Sequence, residues 1–118
     1  MNSNQPGTHI IATLQTTATE LLESFEGCQS VINDLVATFQ LSNLGDIYHN
    51  FSPAGFTAVV CLSESHIAIH TWPEEGKINL DIYLSNFERN NDGTVQQILD
   101  RLVSYFRATI TANQILIR

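Results

Sequence analysis

The sequence predicts an α/β (α+β) fold, a two-layer sandwich in which two main helices pack on one face of a largely antiparallel sheet. Residues 77–84, KINLDIYL, alternate strictly, with Ile78, Leu80, Ile82 and Leu84 on one face and Asn79, Asp81 and Tyr83 on the other. That period of two marks a half-buried strand. From Val95 the apolar residues Ile98, Leu99, Leu102, Val103 and Phe106 instead recur at helical spacing. The order strand, helix, several strands, helix, strand then favours helices on one side of a sheet.

Taken in order, residues 9–14, HIIATL, form a short apolar, β-rich run after Pro6-Gly7 and read as a first strand. Residues 17–20, TATE, have the spacing of a capping box, and Leu21, Leu22, Phe25, Val31, Ile32, Leu35, Val36 and Phe39 follow at helical intervals. They predict one long helix, or two short ones broken near Gly27. Strand-like runs follow at 45–51, 56–62, 66–71 and 77–84. Residues 90–93, NNDG, signal a turn, Thr94 and Gln97 suggest a second capping box for the second helix, and QILI closes the chain as a last strand.

The 118 residues suit one domain, 1–118, with a single core. A hydrophobic fraction of 43% against 14% charged residues argues for a globular protein and against disorder. The formal charge of −7 repels polyanions, so nucleic acid is an unfavourable ligand, and it mildly favours a small cationic substrate. Cys28 and Cys61 have neither CxxC nor metal-ligand spacing, which fits a reducing compartment, and Cys61 in its apolar run is expected to be buried. With no apolar run of membrane-spanning length and no leader-type N-terminus, a cytoplasmic location is expected.

The unusual stretch is 62–74, LSESHIAIHTWPE. On local grounds alone, Ser65 reads as a turn residue and His66 as a histidine satisfying a nearby hydrogen bond. In a strand over 66–71, His66, Ala68 and His70 share one face, while Ile67, Ile69 and Thr71 share the other. The stretch resembles the signature of the short, prokaryotic-type S-adenosylmethionine decarboxylases, in which Glu-Ser-His precedes an alternating strand and His-Thr-Trp-Pro-Glu. Residues 51–57, FSPAGFT, are similar to that family's FxPxG segment, and residues 7–11, GTHII, to its opening strand.

The resemblance implies a proenzyme that cuts itself between Glu64 and Ser65. The Ser65 hydroxyl attacks the Glu64 carbonyl, elimination and hydrolysis follow, and a pyruvoyl group derived from Ser65 remains as the cofactor, with no metal and no pyridoxal phosphate. That group forms a Schiff base with the substrate amine and accepts electrons as carbon dioxide leaves. By the same resemblance His70 is the processing histidine and Thr57 supports processing. Phe51 and Glu74 bind substrate, and Ser85 stands at the proton donor. The implied role is S-adenosylmethionine decarboxylation for spermidine synthesis, by a homodimer.

The sequence departs from the family pattern at three positions. Ser85 replaces the donor cysteine, Asn86 the glycine after it, and Thr13 an aspartate of the first strand. An aliphatic hydroxyl is a far weaker acid than a thiol of pKa about 8.5, so Ser85 is a poorer proton donor. Two alternatives therefore stand beside the main reading, a pyruvoyl-dependent decarboxylase of arginine or ornithine and a non-catalytic binding or partner subunit.

Overall fold

The computed structural model describes residues 6–86 and 89–118. Among the described residues six strands form one sheet: β1 (Thr8–Gln15), β2 (Asn43–Asn50), β3 (Phe56–Leu62), β4 (Ser65–Trp72), β5 (Lys77–Leu84) and β6 (Thr109–Ile117). Their order is β2-β3-β4-β5-β1-β6 and every pairing is antiparallel. Helices α1 (Glu26–Thr38) and α2 (Asp92–Phe106) supply the second layer.

Strand alternation assigns the two faces. Ile10, Ala12 and Leu14 of β1, Phe56, Ala58 and Val60 of β3, Ile67 and Ile69 of β4, and Ile78, Leu80 and Ile82 of β5 are all buried. They meet Ile32 and Leu35 of α1 and Val95, Ile98, Leu102 and Phe106 of α2 in one core cluster. A buried Val, Leu, Ile or Phe side chain contributes roughly 1.5–3 kcal/mol, so this cluster is the main source of stability. Thr71 sits among these groups with its hydroxyl donating to the Leu22 carbonyl at 2.8 Å and accepting from the Phe56 amide at 2.9 Å.

The opposite face carries no helix among the described residues. It presents His9, Ile11 and Thr13 from β1, Thr57, Val59 and Cys61 from β3, His66, Ala68 and His70 from β4, and Asn79, Asp81 and Tyr83 from β5, the register bringing them side by side. No described helix is long and apolar enough to cross a membrane.

Several local expectations need correction. Cys61 is exposed, because period-two alternation turns it to the open face with Thr57 and Val59; Cys28 on α1 is the buried thiol, pushed up to about 12 by burial. Neither expected capping box forms. A short 3-10 turn at Thr19–Leu22 precedes α1, and the Ala18 amide donates to the Thr16 hydroxyl, not to Thr17. Helix α2 begins at Asp92 with Asn91 as its cap, two residues before Thr94, and Gln97 donates to the Gly93 carbonyl. The first helical region breaks over 23–25, with Gly27 inside the first turn of α1.

Candidate active site

The tip of the β3–β4 hairpin is where the backbone is least ordinary. Leu62 pairs with Ser65, leaving Ser63 and Glu64 to reverse the chain. Among the described residues, Gln40, Ser65 and Arg107 have side chains and positive φ. Gln40 (54°) and Arg107 (51°) lie where helices end, a common place for left-handed residues. Ser65, with φ of 144°, has no such reason and lies in a region that a Cβ strongly disfavours. Residues held in such conformations store about 1–3 kcal/mol, repaid by the sheet around them.

Around this strained residue the Glu64–Ser65 peptide is held on each side. The Ser85 amide donates to the Glu64 carbonyl oxygen at 2.8 Å, polarising the bond an attacking hydroxyl would meet. The Glu64 carboxylate accepts from Arg89 Nη2 at 2.8 Å, Arg89 Nε at 3.3 Å and Asn91 Nδ2 at 2.6 Å. Burial pushes the Glu64 pKa up, but the hydrogen bonds from Arg89 and Asn91 and the guanidinium charge outweigh it and hold the group below its ordinary value. Asn91 also donates to the Ser85 carbonyl at 2.8 Å, tying the hairpin turn to the entry of α2.

Ser65 Oγ lies 3.4 Å from His66 Nδ1, and on the open face His66 Nε2 lies 3.0 Å from Asp81 Oδ1. Adjacent strand residues normally point to opposite faces, so this contact depends on the irregular backbone at Ser65. The same Asp81 oxygen lies 2.5 Å from His9 Nε2, and Arg118 Nη1 lies 3.1 Å from His9 Nδ1. Burial raises the Asp81 pKa, but hydrogen bonds from His9 and His66 more than offset it and keep the carboxyl below its ordinary value. His9, His66 and Asp81 offer ligand atoms within 4.8 Å of one another, a set a divalent metal accepts in principle. Here both Nε2 atoms already face the carboxylate and the Arg118 cation stands against His9, so the charge balance is met without a metal.

A second group lies at the far end of the same strands. Phe51, Ala54, Thr57, His70, Trp72 and Glu74 line an open cleft of about 500 Å³. Thr57 Oγ1 lies 2.6 Å from His70 Nδ1 across the β3–β4 pairing. Phe51 is 49% exposed, which rules out a core role, and its ring packs 4.8 Å from that of His49. Glu74 follows Pro73 in the short 3-10 turn Pro73–Glu75 and is also exposed. Lys77 Nζ sits 4.5 Å from the centre of the Trp72 ring at the cleft's rim.

The expected site residues thus fall into two clusters. Glu64, Ser65 and Ser85 meet at the hairpin tip; Thr57, His70, Phe51 and Glu74 meet at the cleft. Ser65 and His70 are five residues apart on one extended strand, roughly 16 Å at about 3.3 Å per residue, and do not touch within a protomer. Sequence reasoning missed the supporting groups His9, Asp81, Arg89, Asn91 and Arg118. Asp81 was visible as a polar position in an otherwise regular strand, but its two histidine partners were not.

Comparison with known proteins gives one consistent answer. A family profile described as S-adenosylmethionine decarboxylase matches residues 8–118. The S-adenosylmethionine decarboxylase proenzyme of Archaeoglobus fulgidus is 43% identical over 77 residues, 65% of this chain and 69% of that protein. That of Thermoplasma acidophilum is 34% identical over 96 residues, covering 81% and 73%. The crystal structure of the adenosylmethionine decarboxylase from Aquifex aeolicus superimposes with a TM-score of 0.79 at 25% identity, over 97% of this chain and 89% of that one.

Proposed function

The chain belongs to the S-adenosylmethionine decarboxylase family, pyruvoyl-dependent carboxy-lyases of polyamine biosynthesis, and from that premise we propose how its own residues make and use the site. The domain of residues 1–118 is a proenzyme that cuts itself between Glu64 and Ser65, and the pyruvoyl group derives from Ser65. The observation that carries this reading is the position of Ser65: strained, with a hydroxyl, directly after a carbonyl already hydrogen-bonded by the Ser85 amide.

The residues present fit such a group. It would be built from the Ser65 carbons at the start of β4, beside His66, and cutting the two-residue turn leaves β4 paired to both β3 and β5. In place, it supplies an electron sink for the pair left when the substrate carboxylate departs as carbon dioxide. Phe51 offers a ring face to the adenosyl group and sulfonium of a cationic substrate, and Glu74 offers a carboxylate at the same cleft. Ser85, beside the new N-terminus, stands where a proton must return to the substrate carbon.

The two clusters are joined if the enzyme is a homodimer. Stacking two helix-free faces about a two-fold axis that runs across the strands would bring the cleft end of one protomer over the hairpin tip of the other. His70, steadied by Thr57, then serves the partner's Ser65 by removing its α-proton when the ester eliminates. Exposed Ile11, Ile47 and Val59 on that face favour its burial. Two free thiols, Cys28 and Cys61, support a cytoplasmic setting.

Denaturing intact-mass measurement of freshly purified protein tests the reading. Two chains divided between Glu64 and Ser65, the second lighter by the equivalent of one ammonia, are expected, together with carbon dioxide release from S-adenosylmethionine. A chain that stays whole sinks it.

A further inference from the structure

We propose that His66, oriented by Asp81, is the base that takes the hydroxyl proton of Ser65 in the first step of self-cleavage. The proposal rests on the reading that this chain cuts itself at Ser65 and separates two proton transfers: His66 acts on the hydroxyl within its own protomer, His70 on the later α-proton.

Hydrogen-bonding roles follow from the partners. A guanidinium only donates, so His9 Nδ1, 3.1 Å from Arg118 Nη1, accepts, and the proton of neutral His9 is on Nε2, facing Asp81. An ionised carboxylate only accepts, so His66 Nε2, 3.0 Å from Asp81 Oδ1, donates. Neutral His66 therefore presents its Nδ1 lone pair to Ser65 Oγ at 3.4 Å. The arrangement is nucleophile, imidazole and carboxylate in series, with the basic nitrogen aimed at the nucleophile. His9 and Arg118 are positioning residues that hold the Asp81 carboxylate in place.

The step balances. As the bond from Ser65 Oγ to the Glu64 carbonyl carbon forms, His66 Nδ1 takes the hydroxyl proton and the Ser85 amide faces the developing oxyanion. The carbon–nitrogen bond then breaks, the proton passes from His66 to the departing Ser65 nitrogen, and an ester, a free amine and neutral His66 result. Among the described residues no other imidazole hydrogen-bonds to Ser65: His9 reaches Asp81 and Arg118, while His49 and His70 lie at the cleft end of the sheet.

The test follows the appearance of two chains from refolded, uncut protein by mass, across pH and with added imidazole or hydroxylamine. His66→Ala is expected to slow cleavage by roughly 10²–10⁴-fold, the usual worth of a general base. Its uncut chain should resist hydroxylamine, because no ester has formed, and imidazole should restore part of the rate. His66→Gln, which keeps a polar side chain without a base, carries the same expectation should the alanine variant fold poorly. Asp81→Asn should slow cleavage and shift its acid limb.

The titratable and charged groups facing His66 are Asp81 and Tyr83 of β5, His9 of β1 with Arg118 beside it, and Cys61 of β3. Cleavage of both His66 variants within twofold of the parent with an unchanged pH profile overturns the proposal. So does a variant that accumulates hydroxylamine-sensitive ester, which would place His66 after the acyl shift. A parent protein that never cuts overturns the self-cleavage reading itself, an outcome distinct from either.

Discussion

A glycine at position 65 adopts a φ of 144° without the penalty a Cβ meets there, whereas alanine retains that penalty and, like glycine, has no hydroxyl. Ser65→Ala and Ser65→Gly are therefore both expected to stay uncut, but the glycine variant should be the more stable by about 1 kcal/mol in urea unfolding. Equal midpoints would mean that the hairpin stores no strain at this residue. Ser85 separates in the same way, because its amide polarises the Glu64 carbonyl while its side chain serves the proposed proton return. Ser85→Cys keeps the amide and supplies a far stronger acid, so self-cleavage should be unchanged while carbon dioxide release from S-adenosylmethionine rises by on the order of tenfold. No gain in release would remove Ser85 from the donor position.

At the scale of elements, the Glu64 clamp fastens the β3–β4 hairpin to the loop that enters α2, through Arg89 and Asn91. Glu64 has a folded pKa below its ordinary value of 4.5, so its contribution is complete above that value and lost as pH falls through the lower, folded one. In an uncut Ser65→Ala background, Glu64→Gln should lower the urea midpoint at pH 7 and reduce the further loss on going to pH 3. Equal acid loss in both proteins would show that the clamp carries no proton linkage. What the sequence made legible divides along similar lines. The alternation of β5 and the stripe of α2 are local patterns, and they were read correctly. β6 runs from Thr109, well before QILI, because its polar half is held by pairing to β1 and carries no periodic signal of its own. Cys61 was misplaced because Ala58, Val59 and Val60 make its strand apolar on both faces, hiding the period. His9 and Asp81 stand 72 positions apart and meet only because β1 lies beside β5, a contact fixed by topology alone.

For the whole molecule, the division of the site between two ends of one sheet determines what an oligomer must do. The hairpin tip has Ser65, the proposed nucleophile, with the Glu64 carbonyl and His66, while the cleft has His70, Thr57 and the proposed substrate-binding groups Phe51 and Glu74. Roughly 16 Å of extended strand separates them, a distance no side-chain rotation closes. If His70 acts across the proposed two-fold, neither Ser65→Ala nor His70→Ala chains cut well alone, since one lacks the nucleophile and the other lacks its partner's base. Unfolded together and refolded as a mixture, they form some hybrid dimers in which the His70→Ala chain, with Ser65 intact, faces the His70 of a Ser65→Ala chain. In those hybrids the His70→Ala chain should be cut, and with random pairing about half of it is in hybrids, so mass analysis should find cleavage approaching that fraction. His70 working within its own protomer predicts no cleavage in the mixture beyond that of the separate variants, since every chain that has Ser65 then lacks its base.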